Sequence, residues 1–183
     1  MGEALQLLTD RIHTPIGELL LVADRHGNLR AVGWTEHEPR MRQLLARHYG
    51  ETGIRLEPAR NPKGLTDAVS AYFAGELTAI DTLPVETAGT SFQREVWRAL
   101  REIPCGTTIS YAQLAERIGR PTAVRAVGLA NGSNPVGVVV PCHRVIGSDG
   151  SLTGYGGGIE RKRWLLAHEN AGAINKEPRL FPF

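Results

Sequence analysis

The chain has little cysteine: two residues in 183, Cys105 and Cys142, set 37 positions apart. Two thiols make no disulfide framework, and a chain of this length buries enough apolar surface to need none. No His-x-x-x-His spacing accompanies them, so no zinc ligand set is present and no metal or other cofactor is expected. Long apolar runs are also missing, none approaching the roughly 20 residues of a membrane span. The start, Met1-Gly2-Glu3-Ala4-Leu5-Gln6, lacks the basic-then-apolar order of a secretory signal. Together these absences predict a protein of a reducing, cytoplasmic setting without membrane attachment. There is no internal repeat. Net charge is only +2, but it is uneven: residues 1–87 hold 9 basic and 12 acidic side chains, and residues 88–183 hold 12 and 7. The second half is the one suited to meet a polyanion.

What is present divides the chain in two. Residues 5–12, 18–23 and 29–34 read as strands punctuated by Thr14-Pro15-Ile16-Gly17 and by the turn around Gly27, an antiparallel meander. Pro39 opens a helix with Met41, Leu44, Leu45 and His48 on one face, and 65–74 forms another, stopped by Gly75. The aperiodic stretch 81–90 is a connector. The expected division is therefore an α/β N-terminal domain over 1–86 with an antiparallel sheet and helices, a C-terminal domain over 87–172, and an irregular tail over 173–183. The second domain reads as all-α. Thr90 with Gln93, and Ser110 with Gln113, have the spacing of capping boxes, each opening a helix. Gly119-Arg120-Pro121 separates helices at 111–118 and 122–131, the outline of a helix-turn-helix. Residues 147–158 are a loop with six glycines in twelve positions, and 159–171 is a last helix around Trp164, Leu165 and Leu166.

The chemistry gathers in Val138-Val139-Val140-Pro141-Cys142-His143-Arg144-Val145. A free thiol titrates near 8.5, so Cys142 needs a base to act as a nucleophile. His143 is adjacent, but neighbours on a strand face opposite ways; a turn at Pro141 or a relaying water must join them. Glu169 is a carboxylate that can orient the imidazole, which makes a Cys–His–Glu set. The competing reading makes Cys142 a small buried apolar residue beside a satisfied histidine. Cys105 has no basic neighbour and reads as structural. On 122–131 the small residues Ala123, Ala126 and Gly128 surround Arg125; such a helix can enter a narrow groove, where one Arg fills a gap in a base stack. It can equally be a closely packed helix with one surface charge. Tyr111 and Tyr155 are ordinary aromatics by position, and Asn134-Pro135 is a turn whose side chain can brace nearby backbone.

Pro141-Cys142-His143-Arg144-Val145, Arg125-Ala126-Val127-Gly128, Asn134-Pro135, Gly154-Tyr155 and Trp164-Leu165-Leu166-Ala167-His168-Glu169 together resemble the O6-alkylguanine-DNA alkyltransferases, the methylated-DNA–protein-cysteine methyltransferases. The likeness is dense over 90–175 and looser toward the start, as in the short bacterial Ogt-like members. It implies a ribonuclease-H-like first domain and single-turnover transfer of an alkyl group from guanine O6, and from thymine O4, to Cys142. It also implies a role for each residue. His143 would act as base through a water, Glu169 would polarise it, and Asn134 would brace the turn. Tyr111 would donate a proton or hydrogen bond to the leaving guanine. The Val145 carbonyl would read its amino group, and Tyr155 would line the pocket. Arg125 would replace a flipped nucleotide, with Ala123, Ala126 and Gly128 against the minor groove of double-stranded DNA. The protein would be a monomer in solution, with cooperative binding on DNA left open.

The sequence departs from the family at Gly156, where some members carry a serine hydroxyl facing the guanine oxygen, and in lacking the zinc ligands of some relatives. Three rival functions remain distinguishable: a non-catalytic lesion binder, which would replace Cys142; a cysteine hydrolase, which would turn over repeatedly; and a sequence-specific regulator.

Overall fold

The computed structural model describes residues 4–50 and 53–169. The predicted tail at 173–183 and the last two positions of the predicted final helix lie outside them. The chain forms two compact units, one of residues 1–89 with 135–139 and one of 90–134 with 140–183.

In the first unit, β1 (Leu5–Thr14) and β2 (Gly17–Asp24) form an antiparallel hairpin, and β3 (Leu29–Trp34) extends it. The first turn closes on Pro15 and Ile16, where the Thr14 hydroxyl donates to the Gly17 carbonyl at 2.6 Å. At the second turn, the buried Asp24 carboxylate accepts from the backbone of His26 and Asn28 and from the Arg30 guanidinium. Those bonds hold its carboxyl below the usual range even though burial alone would raise it.

A fourth strand, β4 (Ile54–Pro58), pairs parallel to β1, giving the order β3-β2-β1-β4. The expected antiparallel meander β1-β2-β3 is present, but β4, which was not expected, adds a parallel pairing and makes the sheet mixed. The chain reaches β4 through α1 (Glu38–Tyr49), a crossover that delivers the strand in the parallel sense. One core gathers Leu7, Leu20, Val22, Ala31 and Leu45, with Met41 and Tyr49 against them. The helix α2 (Leu65–Phe73) buries Leu65, Val69, Tyr72 and Phe73 and packs on β1.

The second unit is helical, with one departure from the all-α expectation. Both capping boxes form. Thr90 and Gln93 start α3 (Ser91–Arg101), and Ser110 and Gln113 start α4 (Tyr111–Arg117), each side chain satisfying the other's backbone N–H. Such a cap stabilises its helix by about 1 kcal/mol. α3 buries Val96, Trp97 and Leu100, each contributing roughly 1.5–3 kcal/mol. The Trp97 indole N–H donates to the Ala130 carbonyl at 2.9 Å, which ties α3 to α5 (Val124–Gly132). The departure is a parallel pair of two-residue strands, β5 (Ile109–Ser110) and β6 (Val145–Ile146). β5 runs directly into Tyr111, and β6 follows directly on Arg144. This pair therefore sets the first residue of α4 beside the Cys142 turn. The unit closes with α6 (Ile159–His168), and no helix among the described residues is long and apolar enough to cross a membrane.

Candidate active site

Three tight turns in succession present Cys142. Val139 N–H donates to the Gly137 carbonyl at 2.8 Å around Val138, whose φ is +70°. A β-branched residue in that region is strained by about 1–3 kcal/mol. Cys142 N–H then donates to the Val140 carbonyl at 2.8 Å around Pro141, whose φ of −83° and ψ of 65° are those of an inverse γ-turn. A single 3₁₀ turn, Cys142–Arg144, follows. The turn that Pro141 suggested is thus present, and Cys142 and His143 are not strand neighbours. Asn134 lies at its base. Its amide donates to the Val140 carbonyl at 2.8 Å and also hydrogen-bonds the Cys142 thiol.

Cys142 is 8% exposed, and its burial pushes the thiol up. The Asn134 bond and the charge of Lys162 oppose that rise without cancelling it. In the resting protein the group is therefore a thiol that must be deprotonated to react.

The candidate base is fully buried. His143 Nε2 lies 2.7 Å from Glu169 Oε1. The Arg144 guanidinium donates to the same carboxylate twice, Nε to Oε2 and Nη2 to Oε1, each at 2.9 Å, and its Nη1 donates to the Ile103 carbonyl at 2.7 Å. Burial would raise the Glu169 pKa, but His143 and Arg144 hold it far below the ordinary range, so the carboxylate is ionised. An ionised carboxylate only accepts hydrogen bonds. His143 Nε2 must then carry a hydrogen, which in the neutral form of the ring leaves Nδ1 as the nitrogen with the open lone pair. That Nδ1 is buried with no hydrogen-bond partner among the described residues. An acceptor nitrogen left without a protein partner is suited to take a proton.

Backbone carbonyls near the Cys142 turn are held by two further side chains. The Tyr111 hydroxyl donates to the Thr153 carbonyl at 3.1 Å; burial raises its pKa, and the charge of Cys142 adds to the rise. The fully buried Lys162 ammonium donates to the carbonyls of Val145 at 2.7 Å, Thr153 at 2.8 Å and Gly154 at 3.5 Å. Tyr155 is half-buried in the same loop. Gly156 is exposed, and a Cβ built there meets nothing within 4 Å.

Residues 7–87 match the model of the 6-O-methylguanine DNA methyltransferase ribonuclease-like domain, and residues 91–171 match that of the 6-O-methylguanine DNA methyltransferase DNA binding domain. The chain belongs to the 6-O-methylguanine DNA methyltransferase family. A methylated-DNA–protein-cysteine methyltransferase of Shigella flexneri is 58% identical over 165 residues, 90% of this chain and 96% of its own length. One from Mycobacterium bovis is 58% identical over 166 residues, 88% of this chain and 92% of its own. The crystal structure of Mycobacterium tuberculosis OGT in complex with DNA aligns with a TM-score of 0.74 at 43% identity, covering 93% of this chain and 98% of that one.

Within this methyltransferase the second unit brings together Cys142, His143, Glu169, Asn134, Tyr111 and Val145. On α5 the residues sort by face. Val124, Arg125, Ala126 and Leu129 are exposed, while Ala123 is half-buried at the helix start. Gly128 turns toward α4: a Cβ there would sit 3.8 Å from the Tyr111 ring. Sequence reasoning passed over Arg144, Lys162 and Leu129. Lys162 was legible by period, since 162, 165, 166 and 169 fall on one helix face and the other three are buried. Leu129, 71% exposed, follows Arg125 by four positions and so shares its face.

Proposed function

We propose that the protein repairs DNA directly, moving the alkyl group of O6-alkylguanine, and of O4-alkylthymine, onto its own Cys142, once per molecule. The observation that carries this reading is the buried Cys142–His143–Glu169 set with His143 Nδ1 left as an open base. His143 Nδ1 takes the thiol proton through a water, and Glu169 stabilises the resulting imidazolium. Cys142 Sγ then bonds to the alkyl carbon as the carbon–oxygen bond breaks. The released electron pair passes to the guanine, which takes a proton from the Tyr111 hydroxyl, and the proton held on His143 returns through water to the phenolate. The product thioether has no facile hydrolysis, so the protein is consumed.

An O6-alkyl group is concealed in the base stack, and the nucleotide must be extruded at a cost of a few kcal/mol. In this reading α4 and α5 act as a helix-turn-helix. The exposed face of α5 enters the minor groove with Ala126 and Leu129, and Arg125 occupies the vacated position in the stack. Ala123 and Gly128 supply small volume where the helix approaches DNA and Tyr111. The Val145 carbonyl accepts from the guanine amino group, Tyr155 lines the pocket, and at Gly156 only backbone N–H serves the guanine oxygen. The DNA-bound relative supports the choice of partner.

The test is intact mass with peptide mapping after mixing the protein with duplex carrying one O6-methylguanine. One methyl on Cys142, saturating at one per protein, is expected, and Cys142→Ser should keep DNA binding while losing transfer. Repeated turnover, or transfer retained without Cys142, would overturn the reading.

A further inference from the structure

Among the described residues, Lys162 is the one buried cation that the chemistry above does not use. Its side chain is fully covered, yet it pairs with no carboxylate among the described residues: its three donors go to three backbone carbonyls. Those carbonyls are not adjacent in sequence. Val145 belongs to β6, just after the nucleophile turn, while Thr153 and Gly154 lie toward the far end of the glycine-rich loop. Burying an ammonium without a counter-ion is costly, and a surface helix position would avoid the cost. The arrangement therefore has to be explained by what it holds in place.

We propose that Lys162 is a positioning residue that clamps the two walls of the base pocket, fixing the Val145 carbonyl from one side and drawing the Thr153–Gly154 backbone toward it from the other. The inference rests on the proposed binding of guanine there. A carbonyl has two lone pairs. With Lys162 on one of those of Val145, the other is aimed for the guanine amino group. The Thr153 carbonyl has a second task, because it also accepts the Tyr111 hydroxyl at 3.1 Å. When Tyr111 turns its proton toward a leaving guanine, Lys162 keeps that carbonyl satisfied. The release thus leaves no unpaired group behind.

The clamp has a pH signature. Burial presses the Lys162 pKa down to about 8, partly opposed by its proximity to Cys142. The titratable groups facing it are the Cys142 thiol, from the 142–144 turn, and the Tyr111 phenol, across the shared Thr153 carbonyl. Above about pH 8 the neutral amine has lost one donor and the charge that strengthens the others. Reaction at the pocket should then decline. Stability should not decline with it: where the unfolded state still binds a proton that the fold has lost, stability rises with pH. A falling rate on an intact fold separates the clamp from a merely structural lysine.

The experiment measures single-turnover reaction with free O6-benzylguanine, and labelling of Cys142 by iodoacetamide, which needs no base pocket, for the native protein, Lys162→Met and Lys162→Gln. The native rate with O6-benzylguanine is expected to fall between about pH 8 and 9 while the thermal melt holds. Lys162→Met should raise the half-saturating O6-benzylguanine concentration at least about tenfold beyond any loss with iodoacetamide, and lose the falling limb. Lys162→Gln, which still donates twice, should recover part of the concentration effect but not the limb. Equal losses with the two probes, or an unchanged half-saturation, overturn the clamp. Should neither variant fold, a native rate that keeps rising through pH 9 overturns it alone. Failure of the native protein to react with either alkylated guanine would instead strike the proposed function.

Discussion

Glu169→Gln tests the base assignment because it changes one atom and reverses the logic of two contacts. The carboxylate accepts three hydrogen bonds, one from His143 and two from Arg144. A glutamine amide has one oxygen and one NH₂. Whichever way it turns, a donor faces a donor, and the Arg144 guanidinium loses its buried counter-charge. Removing one partner of a buried ion pair costs about 3–5 kcal/mol, a large share of the roughly 5–15 kcal/mol typical of a whole domain. The His143 ring also loses the acceptor that fixes the hydrogen on Nε2 and the charge that stabilises its imidazolium. Transfer should fall about 10²–10⁴-fold, the usual span for a general base. The assay pairs a single-turnover methyl-transfer rate on duplex DNA with a urea unfolding titration at the same pH. A second variant separates the effects: adding Arg144→Met removes the unpaired guanidinium, so stability should partly return while the rate stays low.

The acid limb gives an independent check. Glu169 sits far below the ordinary value of 4.5, so its stabilisation is complete above that value and is lost as the pH drops through its folded pKa. The stability gap between native and Glu169→Gln should therefore narrow below about pH 4.5. A folded Glu169→Gln protein transferring within about threefold of the native rate would refute the assignment of His143 as the base.

Two further outcomes follow from the α5 face and the glycine-rich loop. Arg125→Ala should slow repair in duplex DNA about tenfold or more while leaving reaction with free O6-benzylguanine unchanged, because only the duplex has a stack to fill; equal losses on both substrates would count against that role. Gly156→Ser should fold within about 0.5 kcal/mol of the native protein, since its Cβ meets open space, and should lower the ratio of O6-benzyl to O6-methyl rates by narrowing the pocket; a ratio that does not move would show that position 156 does not set alkyl preference.

The sequence was most readable where structure is local. Both capping boxes form because their bonds span three residues, so Thr90-x-x-Gln93 and Ser110-x-x-Gln113 carry the whole instruction. The three strands of the meander likewise follow from alternation and turn residues. What escaped is non-local. Ile54-Arg55-Leu56-Glu57-Pro58 alternates as a strand should, but nothing within five residues says that its partner is β1, forty-nine positions earlier and parallel. The β5–β6 pair is two residues long, below any periodic signal, yet it sets Tyr111 beside Cys142.

The site divides along the same line. Cys142, His143 and Glu169 stand out because thiol, imidazole and carboxylate have few reasons to be buried together unless they react. Arg144 and Lys162 drew no role from the sequence, since most lysines and arginines lie at the surface. Their roles depend on acceptors supplied by distant backbone: the Ile103 carbonyl for one, and those of Val145, Thr153 and Gly154 for the other. Every residue contributes a carbonyl, so such acceptors leave no mark in a sequence. A buried cation held by backbone alone is therefore where a structure adds most to a reading of residues, and Lys162 is the position in this chain where the two diverge furthest.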